Sequence, residues 1–293
     1  MSNQILGFAG LGVMGEPICA NLLKKSGAQM RVFDPNPAPV ERLVAMGATK
    51  ADSLAALAES VDILFLSLPG GPQVEQVIRG EGGVLAHGRE GLLVVDMSTA
   101  PVSLTREIGE ELAAKSIRFA DAPVARTRQA AIDGTLSIMV GGSDEVFETI
   151  RPLLGHAASD VTHCGDVGCG QVVKILNNMV LFETVVALSE ALSLGGAAGV
   201  DPALLFDTLS KGSADSFALR NHGMKAMLPD TFPEHAFPTD YALKDVSYAL
   251  DLAEFTGFRA PGAELAKARM EKAKAAGYAS EYFPVLARMT DRS

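Results

Sequence analysis

Lys174 and Asn178 stand four residues apart in Lys174-Ile-Leu-Asn177-Asn178, just behind the glycine-rich stretch Gly165-Asp-Val-Gly168-Cys-Gly170-Gln171. The glycines read as a hinge that opens a helix, and on a helix positions i and i+4 share a face. The Lys174 ammonium and the Asn178 amide can therefore converge on one small molecule, with Asn177 beside them. Helix amides near Gly170 place partial positive charge next to Lys174, which favours its neutral form. A lysine tuned in this way exchanges a proton near neutral pH, so the pair suits general acid/base chemistry. For an isolated lysine and asparagine the plain alternative is an exposed lysine beside a capping residue. The other end of the chain speaks against that alternative.

There, Ile5-Leu-Gly-Phe-Ala9 is a short apolar run of buried-strand length, followed by Gly10-Leu11-Gly12-Val13-Met14-Gly15 and a helical pattern from Glu16-Pro17 to Lys25. Gly10 permits a tight turn, Gly12 lets the backbone approach a pyrophosphate, and Gly15 allows close helix–strand packing. The N–H groups around Leu11, Val13 and Met14 then face the phosphates at a helix N-terminus. A second strand, Met30-Arg-Val-Phe33, closes on Asp34, at the interval where a carboxylate takes the ribose hydroxyls of NAD. Asp34 would repel a 2′-phosphate, and Pro35-Asn36-Pro37 offers no arginine to receive one. NAD is therefore favoured over NADP.

Apolar strands continue at Val61–Leu68, Gly91–Asp96, Ile117–Asp121 and Leu136–Val140, with helical segments between them. This alternation predicts an α/β fold, a Rossmann-type doubly wound parallel sheet buried on both faces. Ligands bind such sheets at the carboxyl ends of the strands, where Leu68, Pro69, Ser98, Thr99 and Asp121-Ala-Pro123 lie. Ser98 and Thr99 could equally cap a helix from Val102 onward. Beyond Cys164 strand patterns cease. Gln171 to about Ala198 reads as one long helix, apolar around most of its circumference, and further helices are predicted from Asp201-Pro202, over Tyr241–Thr256 and over Gly262–Ala276. The expected organisation is a nucleotide domain over residues 1–164 and an all-helical domain over 165–293, joined by that long helix. Its apolar girth predicts a second subunit against it, in a homodimer or homotetramer.

The chain has 293 residues with 48% hydrophobic and 20% charged, enough for two substantial cores. Its net charge of −10 is spread over both halves, which argues against nucleic acid or an anionic membrane as partner. No apolar run is expected to reach membrane-span length, and no export signal precedes the first strand. Three cysteines, Cys19, Cys164 and Cys169, favour free thiols in a reducing, cytoplasmic compartment. His163, Cys164 and Cys169 match no paired metal-ligand spacing, so no metal is expected.

Taken together the motifs resemble the β-hydroxyacid dehydrogenase family, whose members include 3-hydroxyisobutyrate dehydrogenase and tartronate semialdehyde reductase. The resemblance covers nearly the whole chain. Gly7-Phe-Ala-Gly-Leu-Gly-Val-Met-Gly15 is similar to the family's cofactor loop and Asp96-Met-Ser-Thr99 to its second signature. Asp121-Ala-Pro-Val124 with Gly134-Thr-Leu-Ser-Ile-Met-Val-Gly-Gly142 is similar to its substrate strand and the strand that follows. Gly168-Cys-Gly-Gln-Val-Val-Lys174-Ile-Leu-Asn-Asn178 resembles the catalytic helix, and Leu243-Lys244-Asp245 a late motif whose lysine lies near the nicotinamide. By this resemblance the second half is of the 6-phosphogluconate dehydrogenase type. Lys174 is the general acid/base, Asn178 orients the substrate, and NAD takes or gives the hydride. Imine reductases share the architecture but generally lack the lysine.

One departure matters. Where the family has Ser-Gly-Gly after its Asp-Ala-Pro-Val strand, to hold the substrate carboxylate, this chain has Ala125-Arg126-Thr127-Arg128. A similar Arg-Thr pair occurs in the sulfolactaldehyde reductase branch. Arg126 is thus a candidate for bidentate binding of a carboxylate, sulfonate or phosphonate, with Arg128 a weaker one. Turning outward, or pairing with an acid, is the competing structural role for Arg126. Leu181 and Phe182, one turn past Asn178, suit an anionic substrate with some apolar body. The expected activity is NAD-dependent interconversion of a short anionic 3-hydroxy acid and its semialdehyde or keto form. An NADPH-dependent small-aldehyde reductase and a non-catalytic dinucleotide-binding protein remain open beside it.

Overall fold

The computed structural model describes residues 4–234 and 236–290. By compactness the chain divides into two units between Lys174 and Ile175. The last strand ends at Gly165, where the sequence changes character, but the first turn of the next helix is bonded into the first unit.

The first unit alternates strands β1 (Ile5–Ala9), β2 (Gln29–Phe33), β3 (Thr49–Lys50), β4 (Ile63–Leu66), β5 (Leu93–Asp96), β6 (Arg118–Asp121), β7 (Val124–Ala125), β8 (Leu136–Gly141) and β9 (Ala158–Gly165) with helices. These are α1 (Gly15–Ser26), α2 (Pro37–Ala45), α3 (Leu54–Ser60), α4 (Gly71–Arg79), α5 (Val84–His87), α6 (Val102–Ala113), α7 (Arg128–Asp133) and α8 (Asp144–Leu154). The order β3-β2-β1-β4-β5-β6 is all parallel and is that of a dinucleotide-binding sheet, with its switch point between β1 and β4. Alternate side chains of the central strands feed two cores. Leu6, Phe8, Phe65 and Val95 pack with α1 and α8 on one face; Leu64, Leu66 and Val94 pack with α3, α4 and α6 on the other. A sheet covered on both faces needs apolar side chains in both directions, which explains the uninterrupted runs.

Past this parallel core the sheet goes on. β8 runs antiparallel to β6 and β7, and β9 lies parallel to β8. The register slips between Leu136↔Ala158 and Ser137↔Asp160, so Ser159 is the extra residue of a bulge. β9 carries exposed Ser159, Asp160 and Thr162 and therefore lacked the apolar signature of a strand. Ser98 and Thr99 do not cap α6, which starts behind Pro101 without a side-chain cap.

In the second unit α9 (Cys169–Ala197), whose first residues belong to the first unit, continues from Ile175. It is followed by α10 (Pro202–Leu209), a π-helix (Leu219–Met227), α11 (Thr239–Thr256), α12 (Pro261–Ala275) and a 3₁₀ turn (Phe283–Met289). Phe182, Val185, Val186 and Leu188 of α9 meet Phe206, Val246, Ala266, Met270 and Phe283 in a single core. The expectation that no apolar run reaches membrane-span length is corrected here. α9 has 29 residues and an 18-residue window of mean hydropathy 1.5, long and apolar enough to cross a bilayer by composition. One stripe of α9, with Phe182, Val185, Val186 and Leu188, packs into the core, while apolar Val180 and Leu194 lie on its exposed side, so the helix is apolar on both faces.

Candidate active site

Local geometry gives each glycine of the first loop a distinct task. Gly10 sits at φ +89°, and a Cβ there would lie 2.3 Å from the Ser67 carbonyl oxygen. A Cβ on Gly15 would lie 1.9 Å from the Gly10 carbonyl oxygen, so neither position admits a side chain without moving backbone. At Gly12, by contrast, a Cβ would meet nothing within 4 Å; this glycine leaves open room at the mouth of α1. No side chain caps α1, and Val13 beside its first turn is 60% exposed while Leu11 is buried. Open backbone next to an uncapped helix N-terminus is what a pyrophosphate requires. Asp34, at the end of β2, accepts the Leu11 N–H at 2.6 Å and the Asn36 N–H at 2.7 Å. It thereby ties the loop down, and with about four acceptor positions on a carboxylate it keeps capacity for ribose hydroxyls. The residues fit a dinucleotide.

Ser98 is a brace between loops. Its hydroxyl accepts the Leu68 N–H at 2.9 Å, which positions Leu68 and exposed Pro69 at the switch point. Its own N–H donates to Asp96 Oδ1 at 3.0 Å, and its carbonyl accepts Gln171 Nε2 at 2.8 Å. Gln171 Oε1 in turn accepts the Ala100 N–H at 3.2 Å, so this buried amide clasps the Ser98-Thr99-Ala100 turn to the start of α9. Thr99 is half-buried within that clasp. Asp121 completes the joint: its carboxylate accepts the Gly168 N–H at 2.6 Å and the Gln171 N–H at 2.7 Å, capping α9. The first-turn amides thus already face a carboxylate. Burial pushes Asp121 up to about 7 and its register neighbour Asp96 up to about 6, against the pull of these N–H bonds.

At the departure from the family pattern, Arg126 takes the competing role of pairing with an acid. Ala125 is buried, and Thr127 caps α7 by accepting the Ala130 N–H at 3.3 Å. Arg126 is bound to Asp160, Ser159 and the Thr135 carbonyl, all within the first unit.

In the second unit Asn178 is buried, and its Nδ2 donates to Asp245 Oδ2 of α11 at 2.8 Å. Exposed Asn177 donates to Asn178 Oδ1 at 3.1 Å. Lys244 lies 2.9 Å from Asp245 Oδ1, in charge contact without an aligned hydrogen bond. The rings of Tyr241 and Tyr248 flank its ammonium at 5.7 and 5.1 Å from their centroids. Half-buried Lys174 precedes Asn178 by one turn of the same helix. Sequence reasoning nominated Asn178 and Lys244 but passed over Asp245, which holds both. Its only signal was its place inside the Leu243-Lys244-Asp245 motif. Gln171 and Asp121 were likewise quoted without their roles.

A sheet of this order, with an open glycine loop and a carboxylate behind it, defines a dinucleotide-binding protein with a helical second unit. Comparison with known proteins carries this further. Residues 5–165 match the NAD binding domain of 6-phosphogluconate dehydrogenase, and residues 168–289 match the domain described as NAD-binding of NADP-dependent 3-hydroxyisobutyrate dehydrogenase. The chain is 37% identical over 276 residues to 2-(hydroxymethyl)glutarate dehydrogenase of Eubacterium barkeri, covering 94% of this chain and 91% of that protein. It is 41% identical over 214 residues to 3-hydroxyisobutyrate dehydrogenase of Pseudomonas aeruginosa, 73% of this chain and 72% of that one. The solved structure of Mycobacterium tuberculosis 3-hydroxyisobutyrate dehydrogenase with L-serine superposes with a TM-score of 0.89 at 30% identity, covering 98% and 99% of the two chains. The chain belongs to the β-hydroxyacid dehydrogenase family, and its cofactor is NAD.

Proposed function

We propose that the protein interconverts a short anionic 3-hydroxy acid and its semialdehyde, with Lys174 as general acid/base and Asn178 orienting the substrate. Bound NAD supplies the acceptor for the hydride that leaves the hydroxyl-bearing carbon. In oxidation the amine of Lys174 takes the hydroxyl proton as the C–H bond breaks; in reduction its ammonium returns that proton to the carbonyl oxygen. Asn178 cannot swing, because Asp245 and Asn177 hold its carboxamide. An amide fixed in this way presents its remaining hydrogen-bonding capacity in one direction, and such positioning lowers the entropic part of the barrier. The observation that carries the reading is this lysine one helical turn before an asparagine locked by an aspartate. The named relatives support the substrate class, since their names specify hydroxy acids of three to five backbone carbons. The test is NAD-linked oxidation of a panel of C3 to C5 hydroxy acids with carboxylate and sulfonate head groups. At least one carboxylated member is expected to be turned over. No turnover with any member at saturating NAD would reject the reading.

We also infer that the protein works as a homo-oligomer in a reducing, cytoplasmic compartment. Val180 and Leu194 of α9 are 57% and 71% exposed, and a second copy would cover them. Light scattering after size exclusion is expected to give at least twice the 30.7 kDa chain mass; a monomer at micromolar concentration would exclude the assembly. The free thiols Cys19, Cys164 and Cys169 suit a compartment that keeps them reduced.

A further inference from the structure

Two irregular features meet at one point of the first unit. Arg126 holds a backbone φ of +86°, the left-handed region that glycine favours and other residues rarely occupy. β9 bulges at Ser159, and the bulge lets two consecutive residues address the same group, where a regular strand would send them to opposite faces. The Arg126 guanidinium fills the gap between: Nη1 donates to the Thr135 carbonyl at 2.5 Å and to Ser159 Oγ at 2.6 Å, and Nη2 donates to Asp160 Oδ2 at 2.7 Å. Ser159 Oγ also donates to Asp160 Oδ2 at 2.8 Å. The Ser159 hydroxyl, then Arg126, hold the Asp160 carboxyl below the usual carboxylate range.

We infer that Arg126 is a positioning residue, a latch that pins the turn Ala125-Arg126-Thr127 to β9 and so fixes the segment leading from Asp121 to α7. An exposed ion pair by itself does little. This one differs, because a planar fork is satisfied by three partners and offsets a backbone conformation that persists only where its surroundings enforce it. The latch closes α7 from both ends, since Arg126 precedes the helix and Thr135 follows it. The segment it fixes begins at the carboxylate that caps α9, the helix of Lys174. Arginine thus secures by side-chain bonds the conformation that a glycine would adopt unaided. The inference rests on the functional reading above only for its kinetic arm. It competes with the expectation that Arg126 receives the anion of the substrate.

The experiment compares Arg126→Ala, Arg126→Gly and Asp160→Asn in the full chain. Oxidation of 3-hydroxyisobutyrate and of its neutral analogue 2-methyl-1,3-propanediol is measured, with amide hydrogen exchange over 122–128. The latch predicts that Arg126→Ala and Asp160→Asn lower kcat/KM alike for both substrates, by roughly tenfold to a hundredfold, as misplacement does. Arg126→Gly should recover roughly half or more of that loss on a logarithmic scale, because glycine needs no latch to hold a positive φ. Exchange in the segment should speed several-fold in Arg126→Ala and Asp160→Asn. A loss in Arg126→Ala confined to the carboxylated substrate, with Asp160→Asn equal to or better than wild type, would make Arg126 an anion receptor and overturn the latch. If wild type turns over neither substrate, the functional reading is what suffers. The exchange arm then decides, and unchanged protection in Arg126→Ala and Asp160→Asn overturns the latch.

Discussion

Replacing Lys174 by alanine is expected to lower turnover about a hundredfold to ten-thousandfold, the usual span for a lost general acid/base, while NAD affinity and thermal stability stay near wild type. The expectation follows from position. Lys174 lies in the second turn of α9, behind a first turn capped by Asp121 and clasped by Gln171. Those contacts use the backbone and side chain of other residues, so the helix start survives the substitution. What is removed is the group proposed to carry the proton. Lys174→Arg separates charge from proton exchange: a guanidinium keeps the charge but stays protonated, so it should remain close to alanine in turnover. The basic or acidic limb of the wild-type pH–rate profile that belongs to this group should vanish in both variants. Near-native turnover in Lys174→Ala, or an unaltered profile, would remove the lysine from the chemistry.

Cofactor preference is expected to move by on the order of a hundredfold toward NADP, as the ratio of kcat/KM values, when Asp34 is replaced by arginine. One change removes a carboxylate that repels a 2′-phosphate and supplies a guanidinium that pairs with it. The structure adds a cost. Asp34 also accepts the N–H groups of Leu11 and Asn36, so the variant loses two ties on the glycine loop and its activity with either cofactor should fall. Asp34→Asn distinguishes the two effects, since its amide oxygen retains one acceptor and its neutrality lifts the repulsion without offering a new partner. The ratio should then shift part of the way. Wild-type enzyme that already works better with NADP than with NAD, at equal subsaturating concentrations, would invalidate this account of the loop.

Much of the cofactor site was legible in the chain because its determinants are local. A strand, a turn that only glycine permits, a helix start and a carboxylate at the end of the next strand all fall between Ile5 and Asp34. The buried strands were legible for a related reason: a sheet covered on both faces demands unbroken apolar runs, and these stand out from their surroundings. Lys174 and Asn178 were placed on one face by helical periodicity alone. β9 was missed because it borders the sheet and carries polar residues that this position tolerates.

By itself, then, the sequence determined the α/β order, the helical second half, the glycine turn between β1 and α1 and the place of Lys174 and Asn178 one turn apart on α9. Each is written in spacings of a few residues or in the period of a single element. Only the tertiary structure decided which distant groups those residues serve. Asp121 caps a helix 47 and 50 residues on, Asn178 is locked by an aspartate 67 residues away, and Arg126 reaches partners 33 and 34 residues along. Such pairings depend on strand register and on one bulged residue, and a slip of a single position would turn Ser159 and Asp160 away from Arg126. Local pattern carries no record of that register, because it is set by how the whole sheet packs.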